Sequence, residues 1–110
     1  MATTITAFTD VKGNKTFPVR GTVGTAEALV FNNLEGFARV RVLNNDQTAV
    51  NSVAIGFASG TTVGSGYLVY GGTTLNNGVD FYLAPGEKLY AIAAADRDVT
   101  FICWPNCNQG

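Results

Sequence analysis

The stretch from Gly78 to Cys103, GVDFYLAPGEKLYAIAAADRDVTFIC, decides the fold. Val79, Phe81 and Leu83 alternate with Asp80, Tyr82 and Ala84. A period of two puts the first set on one face of a strand and the second on the other. Pro85-Gly86 breaks the run. Proline fixes its φ and glycine accepts a positive one, so LAPGEK is a turn with a mechanism. Leu89, Ala91 and Ala93 then alternate with Tyr90, Ile92 and Ala94. Apolar residues occupy both faces there, so this strand is expected to be covered on both sides, by an opposing sheet and by something else. Asp96-Arg97-Asp98 reads as a charged turn. Val99, Phe101 and Cys103 follow on one face, with Thr100, Ile102 and Trp104 on the other. The stretch reads as three consecutive antiparallel strands, a β-meander inside a sandwich core.

Working outward, Gly36 to Leu43, GFARVRVL, is a strand with Ala38, Val40 and Val42 inward and Phe37, Arg39 and Arg41 outward. Arg39 and Arg41 stand two apart on one face. Their guanidinium forks suit a carboxylate or another anion on a partner. The plainer reading is a solvated face paired with Glu35 or Asp80. Asn44-Asn45-Asp46-Gln47 is a turn. Val50 to Phe57 is a strand with Val53, Ile55 and Phe57 on one face, and Gly56 marks a bulge or a close backbone approach. Ser59 to Gly66 is a flexible loop, Tyr67 to Tyr70 a strand, Thr73 to Leu75 a short extended piece, and Asn76-Asn77-Gly78 a hairpin-type turn.

Toward the N-terminus, Ala26 to Phe31 is a short run bounded by Gly24 and Asn32-Asn33, read as strand. Thr16 to Val19 is a strand whose Pro18 suits a sheet edge, and Arg20 with the following GTVGT is expected to form a loop. Residues 1–15 are an edge strand or an extended arm that pairs with a neighbouring subunit. Thr3, Thr4, Ile5, Thr6 and Phe8 are its candidate partner-binding residues. The expected organisation is one all-β domain, an antiparallel two-sheet β-sandwich with jelly-roll connections as the candidate topology, over residues 16–104. Residues 105–110 form a tail.

The chain has 110 residues, seven basic and eight acidic, for a net charge of -1. Area scaling gives one core and a folded surface of about 5,800 Å². There is no basic stripe, so nucleic acid is not an expected partner. The charged fraction is 14%, against about 25% in ordinary soluble domains. Such a surface, made of Thr, Asn, Gly, Ser and Ala, is buried against a partner at low desolvation cost. That favours an assembly over an isolated monomer. Met1-Ala-Thr-Thr has neither the basic nor the apolar region of a signal peptide. No apolar run reaches the length of a membrane span, so no membrane association is expected.

The chain has no histidine, which removes the commonest general base. Asp80, Glu87, Asp96 and Asp98 lack the material to wall a cleft between two carboxylates. Asp96-x-Asp98 lacks the EF-hand pattern and reads as turn chemistry. No phosphate-binding motif leads a strand into a helix. No enzymatic activity, cofactor or metal is expected, and thermal stability is expected to be independent of divalent cations. Tyr67, Tyr70, Tyr82, Tyr90 and Trp104 suit sugar faces if exposed side by side, and otherwise pack the sheets. Cys103 and Cys107, in CWPNC, are the only cysteines. Along a straight strand they lie about 13 Å apart, too far for a bond. A turn at Pro105-Asn106 would bring them together, so free thiols and a tail disulfide both remain open. Two cysteines without histidine do not complete a zinc site.

VRVLNNDQTAVNSVAIGFASG and GVDFYLAPGEKLYAIAAADRDVTFICW resemble small virion proteins of tailed bacteriophages. The shared features are a strand ending in an Asn-rich turn, one ending in Ile-Gly, an L-x-P-G-E turn, and LYAIAA before a last strand. The resemblance spans residues 39–104. It implies a structural subunit, a capsid decoration (cement) protein that binds the major capsid protein on the virion surface after synthesis in the host cytoplasm. It also implies a homo-oligomer, with a trimer favoured. The alternative it leaves is a neck, tail or fibre-associated protein that binds a glycan or another partner. On the arm reading, deleting residues 2–14 weakens particle binding and leaves the domain folded.

Overall fold

A computed structural model of the chain describes residue 5 and residues 9–46, 48, 50–71 and 78–106. Among the described residues there are nine strands and no helix. They are β1 (Thr9–Val11), β2 (Phe17–Val23), β3 (Ala28–Asn33), β4 (Ala38–Asn44), β5 (Ser52–Gly56), β6 (Tyr67–Tyr70), β7 (Val79–Leu83), β8 (Lys88–Ala93) and β9 (Arg97–Trp104). One sheet has the order β1-β3-β8-β5-β6 and the other β2-β9-β4-β7. All pairs are antiparallel except β1 with β3. Strands β2 to β9 thus divide four and four in jelly-roll order, and β1 is added at an edge. The expected β-sandwich is the observed architecture. The solvent-accessible surface is 5898 Å².

Alternation along the strands builds the core. In β4 the inward set Ala38, Val40 and Val42 is fully buried, and in β9 so is Val99, Phe101 and Cys103. β8 contributes Leu89, Ala91 and Ala93, and β3 contributes Val30 and Phe31 across a register shift. Phe31 stands at the centre. Its ring meets Phe17 and Phe101 edge-on, each at 5.9 Å between centroids. Both distances lie in the favourable range for aromatic pairs.

The meander is not observed. β7 pairs with β4, β8 lies in the opposite sheet, and β9 returns to the first. The turn chemistry explains this. Glu87 N–H donates to the Ala84 carbonyl at 3.0 Å around Pro85-Gly86. The φ of Gly86 is +87°. This is a type II turn, whose twist splays two strands instead of closing a hairpin. The chain therefore crosses the sandwich at this turn.

Two further boundaries differ from expectation. Arg20 to Val23 is strand, not loop, and Arg97-Asp98 belongs to β9, leaving the turn at residues 94–96. One ladder causes both changes, because Thr22 and Val23 pair with Asp98 and Arg97. Burying Val23 completely rewards the extension, despite Gly21 in the strand. β2 remains an edge, as Pro18 requires. The expected pieces at Thr73 to Leu75 and at Asn76-Asn77 lie outside the described residues.

The outer face of β8 is only half-buried at Tyr90 and Ile92, and the chain's own cover lies instead over the neighbouring β5. Ala54 points away from the core, since Val53 and Ile55 point into it, yet it is fully buried. The β5–β6 connection folds back over this outer face. A side chain on Gly66 would meet the Ala54 Cβ at 2.9 Å, and one on Gly56 would overlap Thr61. Thr61 is held from the other side, its N–H donating to the Glu27 carboxylate at 2.6 Å. Gly56 is thus a position of close approach, which its place in the strand suggested.

Candidate functional site

The outer face of the four-stranded sheet carries the arginine pair. Arg39 and Arg41 lie on β4, opposite Tyr82 and Asp80 of β7 on one side and Trp104 and Ile102 of β9 on the other. Both guanidiniums share one carboxylate. Arg41 Nε donates to Asp80 Oδ1 at 2.7 Å, and Arg39 Nε to Asp80 Oδ2 at 3.0 Å. The Arg41 hydrogen bond holds the Asp80 carboxyl below its ordinary 3.8, with Arg39 adding to it against partial burial. The Arg41 guanidinium is raised in turn by the same bond. The guanidinium carbons stand over the Trp104 ring, at 4.5 Å for Arg39 and 5.7 Å for Arg41, within cation–π range. The arginines are thus paired within the chain, by Asp80 of the two acids expected. Glu35 accepts instead from the Gly13 N–H at 2.9 Å and from Asn106 at 3.2 Å.

Of the candidate arm residues, Thr3, Thr4, Thr6 and Phe8 lie outside the described residues. Ile5 donates its N–H to the Thr22 carbonyl at 3.1 Å and packs against the molecule's own core. Thr9–Val11 forms the edge strand β1, and Val11 is fully buried. Cys103 is a free thiol buried between the sheets, pushed up to about 12 by desolvation. Its candidate bonding partner, Cys107, lies outside the described residues. Asp98 is engaged by Arg20, with Nη2 to Oδ2 at 2.6 Å. Among the described residues no three His, Cys, Asp or Glu side chains group together.

The aromatic side chains read as sugar candidates are dispersed. Tyr82 and Trp104 flank Arg39 on one sheet. Tyr90 and Tyr70 lie on the outer face of the other. Tyr67 turns its ring edge to Phe81 at 5.5 Å, and Phe57 meets the same ring at 5.8 Å. Phe57 and Tyr67 line an open cleft of about 410 Å³ at the β5–β6 loop. Two of the hydroxyls there are engaged within the chain, Thr61 donating to the Ala58 carbonyl at 2.8 Å and Ser65 bonding Thr62 at 3.0 Å.

Sequence reasoning missed the two buried asparagines. Asn33 Nδ2 donates to the carbonyls of Gly36, Leu83 and Ala84, each at 3.0 Å, tying the β3–β4 loop to the end of β7. Asn44 Nδ2 donates to the carbonyls of Asn51 at 2.9 Å and Val69 at 3.0 Å. Each stands at a strand end in an Asn-Asn pair, and that doubling was the available signal.

Fold and surface together define a small all-β sandwich with a sparsely charged exterior. No family model matches the chain, and no curated protein matches it. A solved structure that does match is a chain from Bacillus endospore appendages, which form a family of disulfide-linked pili. The TM-score is 0.52 at 17% identity, covering 86% of this chain and 88% of that one. At that identity the likeness is one of fold.

Proposed function

We propose that this chain is a non-enzymatic structural subunit, a capsid decoration protein that binds the outer shell of a bacteriophage particle and stabilises it. The observation that carries the reading is the exterior. With 14% charged residues, the domain exposes Leu34, Phe37, Val50, Phe57, Val63, Tyr67, Tyr70 and Tyr82. Burying such a surface desolvates few charges, and affinity then comes from contact area repeated over many copies. The sequence resemblance over residues 39–104 supplies the particle. A second reading, a subunit of a bacterial filament, is favoured by the fold likeness to a pilus-forming protein.

The test is the copy number of the chain per purified particle, measured by quantitative mass spectrometry against the major shell protein. Abundance comparable to the shell protein supports decoration. A handful of copies replaces decoration with a neck, tail or fibre role, and absence from particles overturns the reading. Filaments grown from the purified chain alone, seen by electron microscopy, establish the second reading instead.

A further inference from the structure

Four strands stand at sheet edges among the described residues: β1 and β6 in one sheet, β2 and β7 in the other. Natural edges are blunted by shortness, proline, charge or cover, because an open edge is a template for another strand. β1 has only 3 residues and carries exposed Asp10. β2 carries Pro18 and Arg20, and β7 carries Asp80 inside its ion-pair cluster. β6, Tyr67-Leu68-Val69-Tyr70, has no charge, no proline and no register shift. Its two tyrosines are more than half exposed, Tyr67 at 57% and Tyr70 at 54%.

The ladder tells which β6 groups are open. Gly71 N–H donates to the opposing Asn51 carbonyl at 3.0 Å, so that pair is a hydrogen-bonded one. Bonded and non-bonded pairs alternate. Val53–Val69 and Ile55–Tyr67 are therefore bonded, and Ser52–Tyr70 and Ala54–Leu68 are not. The neighbouring ladder agrees, since Ala93 N–H turns away from Val53 toward the Gly24 carbonyl. The N–H and C=O of Leu68 and Tyr70 thus face outward from the sheet, with no ladder partner among the described residues.

We propose that two copies of this chain pair through β6, antiparallel about a two-fold axis, joining two five-stranded sheets into one. The absence of charge selects a second copy as the occupant. Pairing about a two-fold axis brings every charge on the strand into the same short ladder twice, and an uncharged strand such as β6 carries no such repulsion. Leu68 would stand opposite Tyr70 of the other copy in a hydrogen-bonded pair, twice, with the axis between the two Val69 residues. These cross-strand pairs are apolar and aromatic, the favourable kind. The pairing goes beyond the shell-binding reading and departs from the threefold arrangement that the resemblance implied.

Sedimentation of the full chain and amide exchange by NMR test it. The expected mass rises from 11.6 kDa to twice that with concentration. The Leu68 and Tyr70 amides should become protected over the same range, while Tyr67 and Val69 are protected throughout. Leu68→Pro gives up no ladder bond inside the sheet, because that N–H faces outward, and should abolish the dimer. Leu68→Lys, which keeps the strand free of proline, should do the same by placing ammonium groups in the pairing. A chain that stays monomeric overturns the proposal, as does a dimer in which the Leu68 and Tyr70 amides exchange freely. So does dimerisation that persists in both variants, or a trimer or open filament in place of the dimer.

Discussion

Gly56→Ala is the sharpest probe of the β5–β6 connection. A Cβ there would overlap Thr61 Oγ1 and lie 2.7 Å from its Cγ2 and 2.9 Å from its Cβ. Gly56 is outside the left-handed region, so backbone strain plays no part. Two effects oppose each other. Overpacking costs about 1–3 kcal/mol. Replacing a glycine inside a strand returns about 0.5–1 kcal/mol of backbone entropy. The net expectation is a loss of about 0.5–2 kcal/mol, which at a urea slope of about 2 kcal/mol/M moves the midpoint by roughly 0.25–1 M. Thr61→Gly removes all three atoms that obstruct. It also gives up the Thr61 hydroxyl bond to Ala58, worth about 1 kcal/mol. In that background Gly56→Ala should no longer destabilise, so a double-mutant cycle should yield a coupling of about 1–3 kcal/mol. Additive effects, or a single Gly56→Ala variant more stable than the parent, would refute the account of a loop seated on the outer sheet face.

Phe31→Ala empties the centre of the core and should cost about 3–5 kcal/mol in chemical denaturation, a large part of the roughly 5–15 kcal/mol typical of a domain. Asp80 and Asp98 are held below their ordinary 3.8, chiefly by the Arg41 and Arg20 hydrogen bonds respectively. In acid the unfolded chain takes up their protons first. Their stabilisation is therefore complete above the ordinary value and lost as pH falls through the depressed ones. Denaturation midpoints should hold from neutral pH to about 5 and drop below about 4, with a shallower drop in Asp80→Asn. In a Cys107→Ser background, the buried Cys103 thiol, at about 12, should react with a disulfide reagent only as fast as the protein unfolds. Rapid native labelling would contradict its burial. Deleting residues 2–14 removes fully buried Val11, so a loss of about 1.5–3 kcal/mol is expected, measurable as a lower thermal midpoint.

Of the two readings of residues 1–15, an edge strand or an arm, that last expectation follows from the edge strand β1 at Thr9–Val11. Sequence alone showed little alternation there. Val11 enters the core through a parallel pairing with β3, a contact between distant segments that no local pattern encodes. Strand positions and faces were legible elsewhere because alternation is local. Ala38, Val40 and Val42 inward with Arg39 and Arg41 outward follows from period two alone. Pairing was not legible. LAPGEK states a turn, yet whether it closes a hairpin or crosses the sandwich depends on turn type, and Pro85 and Gly86 together specify the crossing form. Asp80 as the partner of both arginines was foreseeable as a residue type. The placing of Trp104 beside them required the register of β9 on β4. Unprotected β6 was visible only once strand order was known, because its four residues look the same in the middle of a sheet as at its margin.

The order of strands also has a consequence for synthesis. β9 lies between β2 and β4, and β8 lies between β3 and β5. The middle of each sheet is therefore made last. A ribosome that has released only the first two-thirds of the chain has exposed β2 and β4 without the strand that joins them, and β3 and β5 likewise. Early segments wait for late ones, and a prematurely terminated chain has neither sheet to complete. Folding is thereby a proofreading step for length, since only copies translated through Trp104 have the strands that complete both sheets.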